Sequence, residues 1–168
     1  GKKPETTDVV MDTVSNFPVH LTGTLDTEGT PSTGRVRKGA GLVHNNFLGL
    51  DDTLILGYTG GKNFGGAYGY HRLPITNFGT TVMYGYSQTR AFPKKDYERY
   101  EISSRQETYS AFLYQDLYQK DEYKGEVSAG LEKINKRVVS GAGGDLNVDR
   151  HTVFSINTTL IGRGEGNT

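Results

Sequence analysis

The sequence contains no cysteine, no tryptophan and only five prolines in 168 residues. The absence of cysteine removes any disulfide framework and is compatible with an oxidising compartment. Lysine plus arginine equals aspartate plus glutamate at 19 each, so the chain has no net positive footprint for nucleic acid. Long apolar runs are also missing. Hydrophobic residues make up 34% of the chain, and no segment approaches the roughly 20 residues that a membrane-crossing helix requires.

None of these absences excludes a transmembrane β-barrel, whose strands alternate apolar and polar residues and so keep average hydropathy low. The 23 glycines and 11 tyrosines are poor helix material, but they suit curved strands that carry interfacial aromatics. Gly1-Lys2-Lys3-Pro4 is polar and short, with no signal peptide before the first strand, so the chain is expected to be a mature, engineered or excised piece.

Residues 35–64 set the pattern. Val36, Ala40 and Leu42 alternate with Arg35, Arg37, Gly39 and Gly41; after a Gly- and Asp-rich break, Leu54, Leu56 and Tyr58 alternate with Ile55, Gly57 and Thr59. Such period-two alternation around a turn predicts a β-hairpin, and each arm has about the ten residues that a tilted strand needs to cross a bilayer.

The remaining chain repeats this unit. Residues 6–14 form a short candidate strand, separated from the first full strand by the break at Asn16-Phe17-Pro18. Full strands are predicted at 19–26, on the two arms of the hairpin, and at 67–73, 80–88, 108–117, 125–133 and 152–161. Gly60–Gly66 reads as a turn, 89–105 as a large charged loop and 135–149 as a flexible loop. Connections at 45–52, 74–79 and 118–123 are compact, whereas those at 27, 89 and 135 are longer or more polar. Outer-membrane barrels show this alternation, with tight periplasmic turns and long external loops. The fold class expected is therefore all-β, an antiparallel transmembrane β-barrel of about eight strands in meander order. It is either an eight-stranded barrel or half of a sixteen-stranded one.

Candidate residues emerge from the alternation. Arg35, Arg37, Glu126 and Glu132 are lumen-facing candidates, able to form an ion-paired plug, line a polar pore or stand as solvated rim charges. Lipid-facing or girdle candidates are Leu54, Leu56, Tyr58, Val82, Tyr84, Tyr86, Val127, Leu131, Phe154, Ile156 and Leu160, with Tyr68, Tyr70, Tyr109 and Tyr118 as further girdle residues. His20, His44, His71 and His151 lie on separate strands with no metal-ligand spacing, and no nucleophile elbow, phosphate loop or dinucleotide fingerprint occurs. Neither an enzyme nor a cofactor is expected.

The stretch from Asn16 to Asp52 resembles the start of the barrel in the two-partner secretion transporters, the outer-membrane proteins that export haemolysins and filamentous haemagglutinins. Those proteins carry a Phe-Pro before the first strand, a D-N/T-x-G-T/S…S/T-T-G loop and an N-x-x-G-L-x-D periplasmic turn. Here Phe17-Pro18, Asp26 to Gly34 and Asn46 to Asp52 stand in those places. The later pieces YGYHRLPITNFGTTVMYGYSQT and YKGEVSAGLEKINKRV are similar to that family's succeeding strands in order.

The resemblance implies that residues 1–16 are the end of a periplasmic POTRA-like domain or a leader strand, and 17–168 a β-barrel segment. It also implies outer-membrane lipid and a secreted protein as partners. The secreted protein would bind POTRA domains and thread, unfolded and without ATP, through the lumen. The family's Val-Arg-Gly-aromatic motif is absent, and the chain holds about eight strands of the family's sixteen. The implied piece is the first half of a barrel, which must pair with missing strands, self-associate or close on itself. Two other functions fit the same alternation: a self-contained eight-stranded barrel with a structural or adhesive role, and a soluble β-sandwich binding module.

Overall fold

A computed structural model describes residues 17–120, 123–141 and 144–162. The expected POTRA-like or leader segment, 1–16, lies outside the described residues. Eight strands succeed one another: β1 (Val19–Asp26), β2 (Arg37–Asn45), β3 (Thr53–Gly61), β4 (Phe64–Pro74), β5 (Thr80–Ala91), β6 (Ser103–Lys120), β7 (Tyr123–Val139) and β8 (Asp145–Gly162). They form one antiparallel sheet in the order β1-β2-β3-β4-β5-β6-β7-β8, each strand bonded to its sequence neighbours. Among the described residues nothing joins β1 to β8, so the sheet has two open edges. No helix of the described residues is long and apolar enough to cross a membrane.

Residues paired across an antiparallel ladder share a face, and the registers resolve two faces of different chemistry. Val19 pairs with His44, His44 with Leu54, Leu54 with His71 and His71 with Tyr84. Tyr84 continues to Ala111, Ala111 to Leu131 and Leu131 to Phe154. This face is apolar over most of its height. The opposite face carries Thr22, Thr24 and Asp26 on β1, Arg37 on β2, Glu126, Ser128 and Glu132 on β7 and Ser155 and Asn157 on β8.

No apolar side chain is buried among the described residues, and Phe154, Ile156 and Leu160 are 63%, 64% and 80% exposed. A sheet whose apolar face has no cover within the chain requires another apolar phase against that face.

The polar face solves a packing problem with glycine. Tyr68 lies over Gly57, Tyr70 over Gly85 and Phe112 over Gly130, each ring resting on the residue directly across its ladder. A ring laid flat on a glycine covers backbone that a side chain would otherwise shield and leaves the strand free to bend. Tyr68 and Tyr70 therefore stand on the face opposite Tyr58, Tyr84, Tyr86 and Tyr109, which corrects their assignment to the girdle.

Three predicted loops are shorter than expected. Gly60, Gly61 and Phe64–Gly66 are strand, leaving only Lys62 and Asn63 to turn. Within 89–105 the ladder runs on to Ala91 and resumes at Ser103, with one 3₁₀ turn at Lys95–Tyr100 between. Residues 135–139 and 145–149 also extend strands, so β6, β7 and β8 reach 18, 17 and 18 residues. A strand of about ten residues crosses the hydrocarbon, so these three project well past that length.

The end of the sheet with the longer connections is laced together. Asn63 N–H donates to Thr33 O at 2.9 Å, Phe92 N–H to Asn63 O at 2.8 Å and Lys94 N–H to Ser32 O at 2.9 Å. These bonds tie the β1–β2, β3–β4 and β5–β6 connections to one another. Gly141 N–H reaches Tyr100 O at 3.2 Å and ties on the β7–β8 connection.

Candidate functional site

Two places concentrate chemistry: the polar face and the β2–β3 turn. On the polar face Arg37 opens β2 opposite Asp26, the last residue of β1. Its Nε donates to Asp26 Oδ1 at 2.8 Å and its Nη2 to Glu28 Oε2 at 3.1 Å. Asp26 also accepts the Glu28 N–H at 3.0 Å, so one carboxylate both caps the turn and holds the guanidinium. Glu132, half-way along β7, accepts from Ser110 Oγ at 3.0 Å, and Arg72 lies 5.5 Å from the centroid of Tyr114.

The four lumen-facing candidates are thus treated differently. Arg37, Glu126 and Glu132 occupy the polar face, but Arg35 precedes β2 and sits in the connection, where its carbonyl accepts from Gly29 N–H at 2.9 Å. Arg37 is neutralised locally by Asp26 and Glu28 rather than by the β7 glutamates, five strands away. The eleven lipid-facing or girdle candidates all fall on the apolar face by register. The side chain of Tyr118 lies outside the described residues.

The β2–β3 turn holds a constellation that the alternation did not reveal. Asp52 is fully buried although it stands in a turn. Its Oδ1 accepts the Leu48 N–H at 2.8 Å and the Leu50 N–H at 3.4 Å, while Oδ2 lies 2.6 Å from His71 Nε2. His71 Nδ1 is 2.8 Å from the Tyr84 hydroxyl. With the imidazole proton on Nε2, His71 donates to Asp52 and accepts from Tyr84, so both ring nitrogens are satisfied.

Asn46 closes the turn from its other end: its side-chain oxygen accepts the Asp51 N–H at 2.9 Å, and both Asn46 and Asp51 take positive φ. Burial disfavours the Asp52 carboxylate, but the bonds from His71 and from the Leu48 and Leu50 amides outweigh it and hold its pKa below the ordinary aspartate value.

Among the described residues the two ring nitrogens of His71 are taken up by Asp52 and Tyr84, so the chain of contacts ties the turn to two strands. No group of three or more His, Asp or Glu positioned for a metal occurs among the described residues. Asp52, His71 and Tyr84 lie on three different strands or turns, so sequence spacing alone did not join them. The signal that would have found them is register: Asp52 is two residues before Leu54, which pairs with His71, which pairs with Tyr84.

Comparison with known proteins identifies a family and a similar fold. Residues 5–162 match the model of the haemolysin secretion/activation proteins ShlB/FhaC/HecB. The fold superposes on CdiB from Escherichia coli with a TM-score of 0.78 at 21% sequence identity, covering 92% of this chain and 30% of that one. No curated protein sequence matches the chain.

Proposed function

The chain belongs to the ShlB/FhaC/HecB family of haemolysin secretion/activation proteins, bacterial outer-membrane proteins of two-partner secretion, and on that premise we propose that it supplies eight consecutive strands of a larger transport barrel. The observation that carries the proposal is the open sheet. Among the described residues two strand edges stand unpaired, and lipid does not tolerate unpaired edges, so further strands must close the wall. The chain spans 30% of the length of CdiB, which leaves room for them in a protein of that size.

In this assembly the polar face lines the lumen and the apolar face meets lipid. Arg37, Glu126 and Glu132 set the polarity of the passage, while Leu54, Leu56, Tyr58, Val82, Tyr84, Tyr86, Val127, Leu131, Phe154, Ile156 and Leu160 hold the wall in the membrane. The cargo is a secreted partner protein that crosses unfolded. It is recognised on the periplasmic side before it enters the lumen. A wall of mixed charges with short local ion pairs suits a passage that must release what it conducts.

Adjacent residues provide the test. Leu131→Cys and Glu132→Cys variants of the protein carrying this segment are placed in planar bilayers and exposed to a charged, water-soluble thiol reagent. Modification at 132 is expected to reduce conductance and secretion of the partner, and 131 is expected to resist the reagent. Equal reaction at both positions would overturn the assignment of faces.

A further inference from the structure

The apolar face does not end in neutral residues. Beyond Tyr86 on β5 and Tyr109 on β6, toward the end with the longer connections, Arg90 pairs with Arg105 across β5–β6 and Arg105 pairs with Arg137 across β6–β7. Three arginines therefore stand in one row, directly opposite one another. Lys133 lies across from Tyr109 and Arg150 across from Asn135, adding two cations on the same face.

Among the described residues the carboxylates that meet these cations are Glu107, within salt-bridge distance of Arg105, and Asp145, which takes Arg137 at 2.8 Å. Gln88, with its amide oxygen turned toward the guanidinium groups, accepts from Arg90 at 2.8 Å and Arg105 at 3.2 Å, but it brings no charge. Five cations thus face two carboxylates. Arg105, Lys133, Arg137 and Arg150, with Glu107 and Lys136 beside them, line a shallow recess of about 410 Å³.

Like charges directly opposite on a ladder destabilise it, and two carboxylates leave three of the five cations without a counter-charge, so the patch calls for a further anion. Its height identifies which one. Arg105 is four residues beyond Tyr109, which at about 3.3 Å per residue and a tilt near 40° is roughly 10 Å along the barrel axis. An interfacial tyrosine sits at the hydrocarbon boundary, and the headgroup layer occupies the next several ångströms.

Resting on the assignment of the apolar face to lipid, we propose that the Arg90–Arg105–Arg137 row and the flanking Lys133 and Arg150 bind the phosphate groups of an anionic lipid. That lipid belongs to the leaflet beside the longer connections. Guanidinium groups engage phosphate through paired N–H donors, and their spacing across three strands about 4.8 Å apart admits more than one phosphate at a time. The contact neutralises the excess positive charge and fixes the depth at which the long β6–β8 blades stand in the membrane.

Native mass spectrometry of the protein carrying this segment, in detergent, tests the site with lipid A bearing both phosphates, the same lipid without phosphate, and inorganic phosphate. The phosphorylated lipid is expected to be retained about tenfold better than its dephosphorylated form. The triple variant R90Q/R105Q/R137Q is expected to lose that preference, and R90K/R105K/R137K to keep most of it. Heat-dependent mobility on gels verifies that each variant is folded. Equal retention of lipid by the folded glutamine variant would overturn the proposal, as would full displacement of the lipid by millimolar inorganic phosphate.

A bimane label on Leu131→Cys in vesicles with brominated acyl chains separates the two levels of failure. Quenching without any phosphate preference removes the lipid site alone, whereas absence of quenching removes the outward assignment with it.

Discussion

His71 Nε2 lies 2.6 Å from Asp52 Oδ2, joining the β2–β3 turn to the third ladder of the sheet. Through this contact the turn is anchored to β4, a strand to which it is not directly connected. His71→Phe keeps the ring volume but strands the carboxylate and the Tyr84 hydroxyl. Its unfolding temperature, monitored by heat-dependent gel mobility, is expected to fall by roughly five degrees, the scale set by removing a buried charge-assisted partner.

The same carboxylate makes the turn acid-sensitive. Its pKa is lower in the folded than in the unfolded chain, so it stabilises the fold fully above the unfolded value of about 3.9, and that contribution disappears as pH falls through the folded value. Urea midpoints measured from pH 7 down to pH 3 are expected to drop below about pH 4 in the parent. Asp52→Asn is expected to be weaker at pH 7 and to show a flatter profile. A variant profile parallel to the parent's would mean that another group carries the acid response.

Glycines on the polar face are expected to differ sharply from one on the opposite edge of the sheet. A methyl group at Gly85 meets the Tyr70 ring and, at 2.5 Å, the Gly69 carbonyl oxygen, whereas one at Gly23 meets nothing within 4 Å. Gly85→Ala is expected to cost about 1–3 kcal/mol through overpacking against backbone. Gly23→Ala is expected to be neutral or to stabilise by about 0.5 kcal/mol, because alanine loses less backbone freedom on entering a strand. Urea unfolding of the two variants side by side decides the point; equal losses would show that the ring over Gly85 moves away freely.

The Arg37–Asp26 pair is half exposed and should matter to conduction more than to stability. Arg37→Gln is expected to shift the reversal potential of the assembled pore toward cation selectivity while leaving the unfolding temperature close to that of the parent. An unchanged reversal potential would place the guanidinium away from the conducting path.

The parts of this architecture legible in sequence are those where one face had to be apolar. Val19 to Leu25, Leu54 to Tyr58, Val82 to Tyr86 and Phe154 to Leu160 alternate because lipid or core demands it, and all of these segments are strands. Past the apolar band that demand ends. Arg105-Gln106-Glu107 is polar throughout, and residues 133–139 and 145–151 scatter Ile134, Val138, Val139, Leu146 and Val148 among charged residues, so only a weak period marks them as strand even though the ladders run through them. Gly65-Gly66 reads as a turn because glycine is usually chosen for turns, yet here it lies within β4 beside Thr89 of β5. The Asp52–His71–Tyr84 chain was invisible for another reason: it depends on the register of three strands, which one-dimensional spacing leaves open.

The laced loops lead to a last expectation. Gly34 holds φ at +103° in the β1–β2 connection, and its N–H donates to Thr30 O at 2.9 Å. A Cβ there would lie 2.8 Å from Lys62 Cβ and 3.0 Å from its backbone nitrogen, so a side chain is opposed both by its own backbone and by the β3–β4 turn. Gly34→Val must push the two connections apart, and the first bonds at risk are Asn63 N–H to Thr33 O and Lys94 N–H to Ser32 O. Arg35 comes immediately after it and is a trypsin site. Limited trypsin digestion is expected to cut the variant after Arg35 several-fold faster than the parent, with the strands still protected, because opening a loop tip is far cheaper than opening a ladder. Cleavage at the parent's rate would mean that the connections hold together without these bonds, and the lacing would then be a consequence of strand geometry instead of a support for it.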